Sequence, residues 1–166
     1  VSGGLLVARL REERQLVLVD GRSGAGKTQW ASQLARDSEF FLLSLDELYP
    51  GWDGLDAGHW LAYTRVIVPW RAGEVARVHR WDWKLMAPGE VIEISPSVDL
   101  VIEGCGALSN YTAPLADSRY WLEADWEVRK TRALLRDGQM FSPHWQRWAL
   151  QEERFMALHG SPLLAD

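Results

Sequence analysis

Eight consecutive residues, Gly21-Arg22-Ser23-Gly24-Ala25-Gly26-Lys27-Thr28, restrict this chain more than any other stretch. The segment has the spacing G-x-x-x-x-G-K-[ST]. Glycines lack a Cβ, so the backbone can turn tightly and point successive N–H groups at one anion. The apolar run Gln15 to Val19 precedes the segment and reads as a buried strand, while Lys27 to Arg36 reads as the helix that follows it. A helix N-terminus adds partial positive charge at the same spot. The combination is a P-loop, a phosphate cradle in which Lys27 reaches the β- and γ-phosphates and the Thr28 hydroxyl ligates Mg²⁺. Gly21, Ser23, Gly24, Ala25, Gly26, Lys27 and Thr28 are the expected nucleotide contacts, with ATP and Mg²⁺ as the expected cofactors.

The rest of the chain supplies alternating strands and helices. Phe40 to Leu45, Val98 to Ile102 and Tyr120 to Leu122 read as further strands. Val75 to Trp83 and Val91 to Ile94 read as short strands with a turn at Pro88-Gly89. Leu5 to Arg14, Ala57 to Trp70, Trp126 to Arg136 and Ser142 to Leu158 have helical patterns. In the second of these, Trp60, Leu61, Thr64 and Val68 fall near one face, and Ser142 is the expected N-cap of the last. Strands alternating with helices predict an α/β fold of three layers, a mostly parallel sheet covered on both faces. At 166 residues the expectation is one domain over 1–166, with a lid near 124–142.

Composition excludes several classes. The formal charge of −5 argues against a general nucleic-acid surface, which needs clustered positive charge. No apolar run approaches the roughly 18 residues of a membrane span, and no signal peptide is visible at Val1-Ser2-Gly3-Gly4. The single cysteine, Cys105, rules out an internal disulfide and suits a cytoplasmic setting. His59, His79, His144 and His159 are scattered and read as structural, as do most of the ten tryptophans. No N-K-x-D guanine specifier and no protein-kinase H-R-D or D-F-G set is present.

Carboxylates and arginines complete the reading. Glu103 ends the apolar run Val98 to Ile102, and in such sheets the carboxyl ends of strands face the ligand, so Glu103 is the expected metal-side acid. Asp99, at the other end, is expected to point away. Asp46 follows the Phe40–Leu45 run and is the expected base that orients an attacking hydroxyl and neighbours the metal; Glu47 is the residue most easily confused with it, and an N-capping aspartate is the alternative. Arg129, Arg132 and Arg136 share one helix face. They form either a lid over a triphosphate or an ion-paired solvated face.

In order and rough spacing these motifs resemble the uridine kinase and phosphoribulokinase group of P-loop kinases, from Val17 to about Arg136. The resemblance runs through the P-loop, Asp46-Glu47-Leu48-Tyr49, the aromatic-Asp-aromatic segment Trp81-Asp82-Trp83, Glu103-Gly104 and the arginine-bearing helix. The stretch Leu48 to Gly54 is also similar to short kinase-like proteins known only as ATP-binding. The resemblance implies phosphoryl transfer from ATP to a hydroxyl of a small molecule, a nucleoside first. It also implies an acceptor pocket with Asp82 on sugar hydroxyls and Tyr49, Trp52, Trp81 and Trp83 around it. Pro50 to Gly54 departs from the uridine kinase pattern. Kinases of nucleoside monophosphates, sugars or nucleotide-sugars therefore remain open, as does a non-catalytic ATP-binding regulator. The oligomeric state is open as well.

Overall fold

The computed structural model describes residues 14–166, so all but the last residue of the expected Leu5–Arg14 helix lies outside the described residues. Four parallel strands form the central sheet in the order β2-β5-β1-β6: β1 (Leu16–Gly21), β2 (Phe41–Ser44), β5 (Leu100–Glu103) and β6 (Ser118–Leu122). Each strand is a short apolar run because both of its faces are covered. Val17, Val19 and Val101 point to one face, where helix α1 (Lys27–Ser38) lays Ala31 and Ala35 on them. Leu16, Leu18, Leu100 and Ile102 point to the other face and join the larger core with Trp70, Trp148 and Phe155. The result is a three-layer α/β fold with a parallel sheet between helical layers.

That second face is covered by a helical stretch in three parts: α2 (Leu55–Leu61), a π-helical stretch (Ala62–Ile67) and α3 (Val68–Arg71). The wider π turn changes which side chains face inward. Ala62, Val66, Ile67 and Trp70 are buried, whereas Thr64 and Val68, expected to share one face with Trp60 and Leu61, are exposed. Strands β3 (Ala76–Asp82) and β4 (Ala87–Ile94) form a separate antiparallel hairpin. Its turn is not at Pro88-Gly89 but at Trp83 to Met86, where the Asp82 carboxylate accepts the backbone N–H groups of Lys84 and Leu85, both at 2.9 Å. Pro88 sits inside β4 opposite Trp81, next to an irregularity in the pairing between His79 and Trp81. There the missing ladder donor is tolerated.

After β6 come α4 (Trp126–Asp137) and α5 (Trp145–His159). Ser142 does not cap α5. It opens a short 3₁₀ turn, Ser142–His144, with Pro143 in its first positions, and the α-helix begins three residues later. Among the described residues no helix is long and apolar enough to cross a membrane.

His59 on α2 is buried, its Nδ1 3.0 Å from the Gly106 carbonyl, and its Nε2 has no hydrogen-bond partner. Burial pushes its pKa down to about 4, with His159 adding to the effect and the Gly106 carbonyl opposing it. The unfolded chain therefore takes up a proton near pH 6.5 that the folded chain refuses until about pH 4. The stability contributed by neutral His59 is present above pH 6.5 and lost as pH falls. Relative to His59→Leu, the wild-type chain is expected to lose on the order of 2–3 kcal/mol between pH 7 and pH 4.5. Denaturant unfolding of both proteins at several pH values checks this, and a constant difference contradicts it.

Candidate functional site

The P-loop leaves the carboxyl end of β1, Glu103 ends β5, and Asp46 lies in the 3₁₀ turn Leu45–Glu47 directly after β2. Parallel pairing in register sets Val19 beside Glu103 and Glu103 beside Ser44. All three features therefore open on one edge of the sheet, where ligands of such folds bind. Asp99 lies at the opposite end, accepting the Gln15 N–H at 2.7 Å.

A cavity of about 680 Å³ opens at this edge. Its floor is Ser23, Gly24, Gly26, Lys27 and Thr28, and Asp46 and Glu103 stand beside it. Arg132 and Arg136 of α4 also line it, as do Tyr49, Trp52, Trp81 and Trp83. Gly21 and Ala25 belong to the P-loop but not to the cavity wall: Gly21 pairs with Leu122 as the last residue of β1, and Ala25 is buried.

Two glycines set the shape of the floor. Gly24 has φ +80°, and a Cβ there would run into the backbone carbonyl of Arg129. The P-loop and α4 thus touch backbone to backbone. Gly104, at φ +145°, would carry a Cβ 2.6 Å from Leu45 Cβ, so Glu103-Gly104 packs directly under the Asp46 turn.

The electrostatics are concentrated and partly buried. The Thr28 hydroxyl donates to Glu103 Oε1 at 3.2 Å, and Lys27 Nζ donates to the Arg22 carbonyl at 3.0 Å. Burial raises the Glu103 pKa. Asp46 pushes the same way, against Ser44, Lys27 and Thr28, which favour the carboxylate. Burial opposes the charge of Lys27, but Cys105, Glu103, Asp20 and Glu152 around it outweigh that and hold its pKa above the ordinary lysine value. Asp20, just before the P-loop, is pushed up to about 7 by burial, although the Leu108 and Gly21 amides, Lys27 and the Gly106 amide favour its carboxylate. Its oxygens accept the N–H groups of Gly21, Gly106 and Leu108 at 2.6, 3.2 and 2.8 Å, tying the start of the P-loop to the loop after β5.

Among the described residues no group of three His, Cys, Asp or Glu side chains converges into a metal cage. The Thr28 hydroxyl and the Glu103 carboxylate, with Asp46 nearby, are hard oxygen donors. They suit Mg²⁺, which keeps waters and phosphate oxygens in its shell.

Besides Gly21 and Ala25, two expected site residues lie away from the cavity wall. Asp82 is absent from the cavity wall, its carboxylate committed to the hairpin turn. Arg129 is buried beneath the P-loop, donating to the Ala124 carbonyl at 3.1 Å and the Ser23 carbonyl at 3.4 Å, so it clamps α4 rather than facing the cavity. Tyr49 lines the wall, but its hydroxyl is taken by the Cys105 carbonyl at 2.7 Å.

Other residues enter the site without having been anticipated. Arg80 lines the cavity and pairs with Glu47 at 2.9 Å, and Trp83 Nε1 donates to the Asp46 carbonyl at 2.8 Å. Together they dock the hairpin onto the Asp46 turn. Phe141 and Trp148 complete an aromatic wall around Trp52, whose ring stacks on His144 with centroids 4.6 Å apart. Period-two spacing in β3, which puts Arg80 in step with the buried Ala76 and Val78, was the one local signal pointing to Arg80; nothing local marks Phe141 or Trp148 as wall residues.

The fold is similar to that of solved structures. A structure of a possible uridine kinase from Bacillus stearothermophilus superposes with a TM-score of 0.64 at 15% identity, covering 100% of this chain and 98% of that one. At that identity the likeness shows the fold alone, the three-layer α/β architecture with its central parallel sheet. No protein-family model matches the chain, and no curated protein does.

The backbone contact at Gly24 makes a direct prediction. Gly24→Ala is expected to separate the P-loop from α4 and to lower ATP affinity at least about ten-fold, because a positive φ and an occupied Cβ position act together. Isothermal titration with ATP and Mg²⁺ checks it; wild-type affinity in a folded variant contradicts it.

Proposed function

We propose that this chain transfers the γ-phosphoryl group of ATP to a hydroxyl of a small molecule, with Mg²⁺ as the metal. The observation that carries the reading is convergence: the P-loop lysine, Asp46, Glu103 and two arginines of α4 line one cavity at the carboxyl edge of a parallel sheet. Phosphoryl transfer needs positioning and charge stabilisation more than covalent chemistry. The P-loop amides and Lys27 bind the β- and γ-phosphates. Thr28 and Glu103 would hold Mg²⁺, which supplies neutralising charge on the phosphate oxygens when bound. Asp46 orients the acceptor hydroxyl and accepts its proton, and Arg132 and Arg136 stabilise charge on the transferred group.

For the acceptor, the wall of Trp52, Trp81, Trp83, Phe141 and Trp148 suits a flat, apolar group. A nucleoside remains the best fit, and likeness to a possible uridine kinase supports it. Asp82 does not support it as placed, since its oxygens serve the turn. The polar groups available to acceptor hydroxyls are instead Asp46 and Arg80. A binding-only regulator would need the P-loop but not Asp46 in the cavity.

The test is incubation with ATP, Mg²⁺ and a panel of nucleosides, nucleotides and sugars, with ADP as the readout. Lys27→Ala is expected to abolish turnover. Asp46→Asn is expected to lower kcat on the order of 10²–10⁴-fold while ATP binding is retained. Glu103→Gln is expected to raise the Mg²⁺ concentration needed for half-maximal rate. ATP binding with no ADP from any acceptor points to the regulator, and unchanged turnover in Asp46→Asn removes the base assigned here.

A further inference from the structure

The C-terminal helix α5 places one carboxylate under the P-loop. Glu152 is 4% exposed, and its Oε2 accepts the Ser23 N–H at 2.6 Å. The same oxygen accepts Cys105 Sγ–H at 3.3 Å, and Oε1 accepts Arg22 Nε–H at 3.3 Å. The Ser23 N–H and the Arg22 C=O belong to a single peptide group. That carbonyl is the one holding Lys27 Nζ at 3.0 Å. A buried anion and a buried cation are thus joined through one peptide plane, the carboxylate on its N–H side and the ammonium on its C=O side.

The Arg22 carbonyl also accepts the Ala25 N–H at 3.1 Å, closing a turn on the C=O side, and Glu152 holds the N–H side of the same peptide. Turning it over would set a carbonyl against the Glu152 carboxylate and an N–H against the Lys27 ammonium. Both contacts are repulsive, and both would leave buried polar groups unpaired. The Ala25 turn and the Glu152 carboxylate favour the same orientation from the two sides of the peptide, and in it Lys27 is held at the cavity floor before any phosphate arrives. Pre-positioning of this kind strengthens binding by lowering the ordering cost at the moment of association.

We propose that Glu152 is a positioning residue for the nucleotide phosphates, acting on Lys27 through the Arg22–Ser23 peptide. The role rests on the P-loop reading above. It makes the C-terminal helix part of the nucleotide site although α5 contributes no side chain to the phosphate cradle itself.

The test is a double-mutant cycle on ATP affinity, measured by titration calorimetry with ATP and Mg²⁺ on the full chain. Glu152→Gln keeps the shape and removes the charge, and is expected to weaken ATP binding about ten-fold, the size of one charge-assisted hydrogen bond. In the Lys27→Ala background the same change is expected to alter ATP affinity less than about two-fold, because the group it positions is gone. Glu153→Gln is the control. Glu153 neighbours Glu152, is 58% exposed and pairs with Arg22 at 3.5 Å, and its loss is expected to leave ATP affinity unchanged.

Equal losses from Glu152→Gln in both backgrounds would show a general structural role and overturn the proposal, as would unchanged or tighter binding. If Glu152→Gln does not fold, Glu152→Asp, which keeps the charge and shortens the reach, is expected to show the same dependence on Lys27; additivity there overturns the proposal equally. Absence of ATP binding by the wild-type chain would overturn the P-loop reading itself, an outcome distinct from additivity in a chain that binds.

Discussion

Parallel pairing of β1 with β5 is the interaction on which the site depends. β1 is hydrogen-bonded on both sides, to β5 and to β6, and it delivers the P-loop from its carboxyl end. The register that sets Val19 beside Glu103 brings the Glu103 carboxylate within 3.2 Å of the Thr28 hydroxyl, across 75 residues of sequence. A shift of one residue would turn Glu103 to the other face of the sheet and separate the pair. What prevents the shift is apolar. Leu16 and Leu18 on one face, and Val17 and Val19 on the other, are buried at 5% exposure or less, so any slip would exchange the two cores.

Around that frame the protein gathers charge that a core would otherwise exclude. Asp20, Glu103 and Glu152 surround Lys27, and all four side chains are buried. Isolated buried charges are costly, so each is met by hydrogen bonds: backbone amides at Asp20, a hydroxyl at Glu103, an amide, a thiol and a guanidinium at Glu152. Such an arrangement costs stability and is retained where it holds functional groups in a set geometry.

The hairpin side of the cavity follows a different logic. The β3–β4 hairpin is no part of the central sheet, and it is docked by Trp83 on the Asp46 carbonyl and Arg80 on Glu47. Reading Trp81-Asp82-Trp83 as a sugar-binding triplet misjudged the acid, because the turn falls four residues earlier than the Pro88-Gly89 signal suggested. An aspartate two residues before unpaired turn amides caps them, and that local hydrogen bonding takes its oxygens. Arg129 was misjudged for a tertiary reason. Arginines at helical spacing share a face, but the close approach at Gly24 presses the first turn of α4 onto the P-loop and buries that guanidinium, leaving only the later two over the cavity.

Local periodicity and glycine spacing were thus enough to specify the strand–P-loop–helix unit, the parallel sheet, and the side of the sheet on which Asp46, Glu103 and the P-loop meet. These follow from short-range rules: apolar runs make buried strands, and glycine permits the anion-binding turn. The aromatic wall, the commitment of Asp82 to its turn, the burial of Arg129 and the reach of Glu152 to Ser23 across 129 residues depend on contacts between segments far apart in the chain. No periodicity encodes such contacts, because they arise from how the elements pack once formed. Only the tertiary structure decided which polar side chains would be consumed in holding the frame and which would be left facing the cavity.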